Sequence, residues 1–257
     1  MAAKIYSIVN AKGGTAKTTT VYNVAAALVE RGKAVLMVDA DPGAGLTNMA
    51  GISPDSTGHT TYHLMMEREA VDYASLPLAT KTGAYLIPSS WGLAVAENEL
   101  AQRKNSGYWH QQLKIGLQIY LKRYDFILID CGPSFGNVVV NALFASSRAI
   151  VPVVTQYMTL GGLVQLEKIV EGVQGMGNAK LEMKILPVMH DGRTVHGSEI
   201  LAQLGKIFKG RIYNAVIKKT VRFCDASLSG DSILAYDSES DAANEYRRVA
   251  QEVLNDG

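Results

Sequence analysis

Short runs of β-branched and other apolar residues alternate along this chain with longer amphipathic stretches. Such runs are typical of strands buried on both faces of a sheet, and the stretches between them have the apolar spacing of helices. The alternation therefore predicts an α/β fold with a doubly wound, mostly parallel sheet and helices on both faces. Strands are predicted at residues 4–9, 34–38, 84–87, 126–129, 149–154, 184–188 and 212–216.

Three amphipathic stretches predict helices. In the first, Val21, Val24 and Leu28 share one face, and Gly32 stands where a left-handed residue often ends a helix, so this helix should span residues 17–31. Two further apolar stripes predict a middle and a closing helix: Leu160, Leu163, Val164, Ile169 and Val170, and Ala242, Tyr246, Val249, Ala250, Val253 and Leu254. Because no repeat or linker interrupts this rhythm, residues 1–257 are predicted to form one domain.

The composition is that of a soluble globular protein. Hydrophobic residues make up 47% of the chain and charged residues 19%, which excludes a disordered or fibrous protein. No run approaches the roughly 18 apolar residues of a membrane span, and the first apolar stretch is too short for a signal peptide. Cys131 and Cys224 are too few and too far apart for a disulfide framework. We therefore expect a cytoplasmic protein with no membrane partner.

The formal net charge of +1 hides a basic segment. Seven basic residues and one acid, Glu199, lie between residues 193 and 222, so this basic window carries +6 (seven minus one) and the remaining chain −5 (18 minus 23). The seven are Arg193, Lys206, Lys209, Arg211, Lys218, Lys219 and Arg222. The window is either a solvated face that needs no partner or a surface that binds DNA phosphates without reading bases.

A glycine-rich turn joins the first predicted strand to the first predicted helix. Its residues are Lys12, Gly13, Gly14, Thr15, Ala16, Lys17, Thr18 and Thr19. Backbone N–H groups at a helix start bind phosphate oxygens, and glycines let the backbone approach them, so the turn predicts a nucleotide-binding P-loop NTPase. Lys17 would reach the β- and γ-phosphates, and the Thr18 hydroxyl would ligate Mg²⁺. For an isolated motif, the alternative is an ordinary strand–helix turn beside surface lysines.

Carboxylates follow two other predicted strands. Asp39 and Asp41 follow the second strand, and Asp130 follows the apolar run 126–129 in the manner of a Walker B acid, which holds a metal ion through water. In a doubly wound sheet, ligands bind outside the carboxyl ends of the strands. Each aspartate alone could cap a helix or a turn, but together with the glycine-rich turn they predict a Mg²⁺–nucleotide site.

The order of these motifs resembles that of the ParA/Soj partition ATPases, within the deviant Walker A group that also contains MinD and the nitrogenase iron protein. The resemblance covers nearly the whole chain. The matching motifs are Lys-Gly-Gly-x-x-Lys-Thr-Thr-Thr at 12–20, Val-Asp-Ala-Asp-Pro at 38–42, Tyr-Asp-Phe-Ile-Leu-Ile-Asp-Cys-x-Pro-Ser at 124–134, Gly162-Leu163, Asp191-x-Arg193-Thr194 and Val221-Arg222.

The resemblance implies ATP and Mg²⁺ as cofactors and two subunits that sandwich two ATP molecules. Lys12 would cross to the partner's nucleotide, so that Lys12, Lys17 and Asp41 form the expected catalytic set. Asp41 would position or activate the attacking water. Thr18 and Asp39 would serve the Mg²⁺ shell, and Asp130 completes the expected metal set.

The resemblance also implies that Arg193 and Arg222 contact DNA phosphates, which favours DNA as the partner of the basic window. We add Lys218 and Lys219 to the expected DNA-binding residues. The predicted function is an ATPase that binds non-specific DNA as an ATP-bound homodimer, associates with the nucleoid, and positions a plasmid, a chromosome or a protein compartment through a ParB-like or other adaptor. A MinD-like membrane switch and a metabolic enzyme of the same fold are the alternatives.

Four departures from the family pattern concern the site. Family members usually have Gln-Gly-Asn where this chain has residues 43–45, Gly-Ala-Gly, and we expect that loop to be unusually mobile. A Pro-Pro pair is common where Gly132-Pro133 stands, and Pro-Arg where Lys218-Lys219 stands near the adenine pocket, which leaves the base preference open. Ala16 replaces a glycine of the phosphate loop. We expect slower turnover with binding retained.

Two other groups of residues are assigned structural roles. His59 and His63 lie one helical turn apart with Glu67 following, which is the spacing of a metal site, but a polar helix face is the favoured interpretation because no further ligand is near. Cys131 follows Asp130 directly and is expected to be a buried small hydrophobic residue.

Overall fold

One sheet organises the protein, which we describe from a computed structural model covering residues 2–155 and 160–256, without the side chains of Ser106 and Leu160. The described residues contain strands β1 (Lys4–Ile8), β2 (Val35–Ala40), β3 (Leu78–Ala79), β4 (Tyr85–Ile87), β5 (Phe126–Cys131), β6 (Arg148–Val154) and β7 (Glu182–Val188). The strand order is β3-β4-β2-β5-β1-β6-β7, and every pairing is parallel except that of β3 with β4. The predicted doubly wound, mostly parallel sheet is confirmed.

Helices connect the strands and cover both faces of the sheet. Besides short 3₁₀ turns, the α-helices of the described residues are α1 (Lys17–Glu30), α2 (Gly45–Met49), α3 (Thr61–Met66), α4 (Leu93–Gln102), α5 (Gln112–Leu117), α6 (Asn137–Ala145), α7 (Leu160–Gly175), α8 (Val195–Ile207), α9 (Arg222–Leu228), α10 (Ile233–Tyr236) and α11 (Asp241–Asn255). Helix α1 ends as its sequence predicts, because Gly32 adopts a left-handed conformation with φ of 74°. Within the described residues, no helix is both long and apolar enough to cross a membrane.

The core has two apolar layers because successive side chains of a strand point to opposite faces. In β5, Ile127 and Ile129 join one layer and Phe126 and Leu128 join the other. The second layer includes the apolar face of α11, which packs against α1. Fully burying one large aliphatic side chain contributes about 1.5–3 kcal/mol to the free energy of unfolding, so both layers contribute substantially.

The predicted strand at residues 212–216 is wrong. Arg211 and Tyr213 do exchange backbone hydrogen bonds with Ile185 of β7, but the next contact to β7 comes only from Ile217. Between them, the N–H groups of Asn214 and Ala215 donate to the carboxylate of Glu252 on α11, at 2.9 and 2.8 Å. These side-chain acceptors replace the regular ladder, so the segment runs beside β7 without forming a strand.

Other predictions differ from the structure in detail. The two-residue strand β3 was not predicted, because its sequence is too short to show an alternation. In the middle helix, α7, Leu163 and Val170 are buried as expected, whereas Val164 is 48% exposed. The side chain of Leu160, and residues 1, 156–159 and 257 of the predicted domain 1–257, lie outside the described residues. That the chain forms one domain stays a prediction.

Candidate functional site

The glycine-rich turn forms a compact loop between β1 and α1. The backbone carbonyl of Lys12 accepts hydrogen bonds from the Thr15 hydroxyl at 3.2 Å and from Lys17 Nζ at 3.3 Å. Ala16, which replaces the usual glycine, adopts a left-handed conformation with φ of 58°, and α1 starts at the next residue. A residue with a Cβ incurs strain of the order of 1 kcal/mol in this conformation, so the loop geometry is retained at a small cost in stability.

Lys17 and Thr18 lie against the carboxyl end of β5. The Thr18 hydroxyl donates to Asp130 Oδ2 at 2.7 Å. Lys17 is 7% exposed; burial lowers the pKa of its ammonium group, and the nearby negative charge of Asp130 opposes that shift. The lysine is thus held at the loop, close to the carboxylate that the sequence assigned to the metal.

Asp39 and Asp130 are neighbours in adjacent strands of the sheet. They are register partners of β2 and β5, and both are buried. Burial raises the pKa of Asp130 well above its ordinary value, and the negative charge of Asp39 adds to that increase. Burial also raises the pKa of Asp39, although hydrogen bonds from Thr47 and Asp41 oppose the shift. Two buried carboxylates this close favour binding of a positive charge between or beside them.

The donor set fits Mg²⁺. Asp130 Oδ1 is buried and has no hydrogen-bond partner among the described residues, while its other oxygen holds the Thr18 hydroxyl. A buried acceptor of this kind needs a partner, and a metal ion or its hydration water would supply one. Within the described part of the chain, no group of three or more His, Cys, Asp or Glu side chains is arranged to hold a metal by itself. Mg²⁺ bound with a nucleotide needs only one or two carboxylates, since phosphates and waters supply the remaining ligands.

Asp39 is engaged mainly with the segment that follows β2. Its Oδ2 accepts hydrogen bonds from the backbone N–H and the hydroxyl of Thr47, at 2.8 and 2.7 Å, and its Oδ1 accepts one from the N–H of Asp41 at 3.1 Å. Sequence reasoning missed Thr47. The signal that could have found it is a threonine placed in the short helix directly after the Asp-x-Asp-Pro motif.

Asp41 lies between two glycines. Its Oδ1 accepts a hydrogen bond from Gly43 N–H at 2.9 Å, and a Cβ built on Gly132 would stand 3.2 Å from the same oxygen. The turn is closed by a hydrogen bond of 2.9 Å from the N–H of Ala44 to the carbonyl of Asp41. Gly43 and Gly132 are both positions where the sequence departs from the family pattern, and both border the carboxylate that was assigned to hydrolysis. The expected mobility of loop 43–45 stays a prediction.

A groove of about 1110 Å³ begins at the phosphate loop and ends at the basic window. Ala16 and Thr19 line it on one side, and the apolar side chains of Met189, Ile217 and Phe223 on another. Met189 has a φ of 51°; the other non-glycine residues with positive φ in the described chain are Ala16 and Ala44. All three border the site, as is common for strained residues near binding sites.

The predicted DNA-binding residues lie around this groove. Arg193, Lys218 and Lys219 line it, and Arg222 follows at the start of α9. The structure also pairs three of them with acids: Arg193 with Asp191 at 2.8 Å, Lys218 with Asp241 at 2.9 Å, and Arg222 with Asp237. Arg211, another basic residue of the window, pairs with Glu167 at 2.9 Å. The Arg193 guanidinium holds the pKa of Asp191 well below its usual range. All four acids lie outside the basic window in the sequence, so they offset much of its +6.

Two groups of residues were assigned structural roles, Cys131 and the pair His59 and His63. Cys131 is buried, as predicted, and burial raises the pKa of its thiol. His63 accepts a hydrogen bond from the N–H of Thr60 at 3.2 Å, which helps to cap α3, and its ring lies 4.0 Å from the carboxylate of Glu67.

Comparisons with known proteins agree with this geometry. A family model described as an AAA domain matches residues 3–183. The sporulation initiation inhibitor protein Soj of Bacillus subtilis is 36% identical over 256 residues, covering 99% of each chain. The chromosome partitioning protein ParA of Caulobacter vibrioides is 32% identical over 259 residues, covering 98% of this chain and 94% of the relative. The chain belongs to the ParA/Soj family of P-loop ATPases.

Solved structures share the fold of this ParA/Soj member. Cobyrinic acid a,c-diamide synthase of Mycobacterium smegmatis with bound ADP and magnesium has a TM-score of 0.85 and 29% identity, covering 98% of this chain and 94% of the other. Apo McdA of Cyanothece has a TM-score of 0.84 with 22% identity, covering 98% and 99%, and it supports the fold alone. The P-loop fold of this ParA/Soj member is therefore shared by proteins of different function.

Proposed function

We propose that this chain is an ATPase switch that binds Mg²⁺-ATP, dimerises with it, and in that state binds DNA non-specifically to position a cargo. The observation that carries the proposal is the contact of the phosphate loop with the carboxylate pair: the Thr18 hydroxyl donates to Asp130, which neighbours Asp39 in the sheet. The negative charge of Asp130 also acts on the Lys17 ammonium group. Soj and ParA among the relatives support its assignment to partition or positioning systems.

The residues of the loop would bind the phosphates. Backbone N–H groups from residue 13 to the start of α1 would hold the phosphate oxygens, and Lys17 would neutralise their charge. Thr18, Asp130 and Asp39 would hold Mg²⁺, which would supply positive charge to the phosphates when bound. Asp41 would orient the attacking water, since it lies on the same edge of the sheet and its carboxylate is held by Gly43.

The groove beside the loop would hold the base and ribose. Its apolar lining, with Met189, Ile217 and Phe223, suits a flat purine ring, and it opens directly from Ala16 and Thr19. Lys218 and Lys219 lie at its rim in place of the family's Pro-Arg pair. Comparing the dissociation constants for ATP and GTP measures the base preference of this groove.

Dimerisation would place a second copy over the nucleotide. Lys12 is exposed at the outer side of the loop, where it would meet the phosphates of the partner subunit in a two-fold arrangement. Two basic windows would then lie on one assembly and bind a single duplex together, so ATP would control DNA binding by avidity. In this proposal an adaptor of the ParB type or another cargo protein stimulates turnover, and the protein is cytoplasmic and nucleoid-associated.

The alternatives make different demands on the chain. A MinD-like membrane switch needs an accessible amphipathic helix, whereas the apolar face of the amphipathic helix α11 is buried against α1, and Arg247 pairs with Glu30 at 2.8 Å. A small-molecule enzyme, suggested by the mycobacterial synthase, would use ATP without needing DNA. The test of the proposal therefore measures ATP hydrolysis and DNA binding on the same protein.

With Mg²⁺ and ATP, the protein is expected to hydrolyse ATP slowly and to retain random duplex DNA, whereas ADP should not support retention. Binding should weaken steeply between about 50 and 200 mM salt because phosphate contacts release counterions. ATP turnover and DNA retention are measured on the same preparation over that salt range. Turnover without DNA retention would favour the small-molecule enzyme, and absence of turnover would contradict the proposal.

Charge substitutions at Arg222 and its acid are expected to act in opposite directions. Arg222→Glu should abolish DNA retention, while Asp237→Asn should increase DNA affinity by about two- to fivefold, because the amide no longer competes with DNA phosphates for Arg222. Lys122→Glu makes the same charge change at the amino ends of the strands and serves as the matched control. Affinities for random duplex DNA are compared at one salt concentration, with ATP-dependent dimerisation checked in parallel. If Arg222→Glu binds DNA as tightly as wild type, the basic window is not the DNA-binding surface.

A further inference from the structure

The hydroxyl of Thr47 is the centre of a buried hydrogen-bond network beside Asp41. It donates to Asp39 Oδ2 at 2.7 Å and accepts from the backbone N–H of Ser89 at 2.9 Å. The backbone N–H of Thr47 donates to the same Asp39 oxygen at 2.8 Å. Thr47, Asp39 and Ser89 are all 0% exposed. The network therefore joins the ends of β2 and β4 to the short helix α2 through residues that are all buried.

The direction of each hydrogen bond in this network is determined by chemistry. A backbone N–H can only donate, so Thr47 Oγ1 is the acceptor from Ser89. The hydroxyl proton is then free to point at Asp39, and an ionised carboxylate can only accept. Hydrogen bonds to a charged group are about twice as strong as neutral ones, and here the whole network is removed from solvent. Thr47 consequently holds Asp39 Oδ2 in one orientation.

Fixing one oxygen of Asp39 also fixes the other. Asp39 Oδ1 accepts from the N–H of Asp41 at 3.1 Å, so the start of the Asp41 turn is attached to the same carboxylate. The turn continues through the hydrogen bonds from Gly43 and Ala44 back to Asp41. The position of Asp41 thus depends on a connected path from Ser89 through Thr47 and Asp39.

We propose that Thr47 is a positioning residue for hydrolysis, which orients Asp39 and through it Asp41, without touching the nucleotide. The inference rests on the proposed ATPase function. It also gives β4 a role in the site, because the Ser89 N–H that fixes the Thr47 hydroxyl lies two residues beyond the end of that strand.

The test compares Thr47→Val, which keeps the shape of the side chain and removes the hydroxyl, with Thr47→Ser, which keeps the hydroxyl. Single-turnover ATP hydrolysis is measured together with the dissociation constant for ATP. Thr47→Val should hydrolyse ATP about tenfold more slowly while the dissociation constant changes less than about threefold, because small displacements of reacting groups reduce rates strongly. Thr47→Ser should remain within about threefold of wild type in both quantities.

Thr61→Val is the matched control. Thr61 is also 0% exposed, and its hydroxyl donates to the carbonyl of Pro88, directly before Ser89, so the same substitution removes a buried hydroxyl at the same strand end. It has no hydrogen bond to Asp39 in the described structure. This variant is expected to unfold at a lower temperature but to keep the wild-type hydrolysis rate.

The possible outcomes distinguish failure of the positioning role from failure of the proposed ATPase function. If wild-type protein does not hydrolyse ATP, the proposed function itself fails. If the wild type is active and Thr47→Val matches it, or loses ATP affinity as much as rate, the positioning role is overturned. Should Thr47→Val not fold, Thr47→Ala and Thr47→Ser, which differ only in the hydroxyl, replace it; equal hydrolysis rates for that pair would also overturn the role.

Discussion

The Asp41→Ala protein is expected to bind ATP as wild type does and to hydrolyse it at least about a hundredfold more slowly. A carboxylate that orients or activates an attacking water contributes about 10²–10⁴ to the rate. Asp41 holds no phosphate in the proposed site, since phosphate binding rests on the loop at residues 12–19. Because hydrolysis would release the dimer, the same substitution should prolong the ATP-bound, DNA-bound state.

Single-turnover hydrolysis and ATP affinity measure this effect. Asp41→Asn is measured alongside Asp41→Ala. Its amide oxygen can still accept the hydrogen bond that Gly43 donates at 2.9 Å, but the negative charge of the carboxylate is lost. We expect Asp41→Asn to be as slow as Asp41→Ala. Wild-type turnover in Asp41→Ala would instead move the catalytic role to Asp39.

The Lys12→Ala protein is expected to bind ATP but to remain monomeric in its presence. Two polyphosphates that face each other repel, and a lysine from each subunit would offset that repulsion. Because the two subunits are related by two-fold symmetry, one substitution removes both lysine–phosphate contacts. The structure indicates that the loop itself should persist, because its hydrogen bonds from Thr15 and Lys17 go to the backbone carbonyl of Lys12. The dimer should weaken by at least about tenfold.

Light scattering with ATP and with ADP measures the assembly, preferably in protein that also carries Asp41→Ala so that the ATP state persists. Lys122→Ala removes an exposed lysine at the opposite edge of the sheet and should dimerise as wild type does. If the Lys12→Ala protein forms ATP-dependent dimers at the same protein concentrations as wild type, the cross-subunit role is contradicted.

Much of the fold could be predicted because the signals are local. The apolar run 126–129 and its neighbours are strands buried on both faces, and such strands need only their own sequence to be recognised. The segment 212–216 shows the limit. Its residues have the same apolar character, but two of its N–H groups donate to Glu252, which is brought there by the packing of α11 against α1.

The phosphate loop and the carboxylates could also be predicted, since both depend on chain order. Residues 12–19 are contiguous, and parallel strands deliver Asp39 and Asp130 to one edge of the sheet as register partners. The role of Thr47 and the contact of Gly132 with Asp41 could not be found in this way. Thr47 acts on Asp39 from eight residues away, and Gly132 meets Asp41 from a different strand end, so their contacts depend on side-chain directions that no periodicity encodes.

Among the described elements, the sequence alone predicted six of the seven strands and helices α1, α7 and α11, together with the phosphate loop and the carboxylates at the ends of β2 and β5. The net charge around the basic window, in contrast, depends on the tertiary structure. The count of +6 between residues 193 and 222 is a count along the chain, whereas charges interact through space over about 8 Å in physiological salt. Folding brings Asp237 to Arg222 and Asp241 to Lys218, so the basic window is partly neutralised by acids that the sequence places outside it.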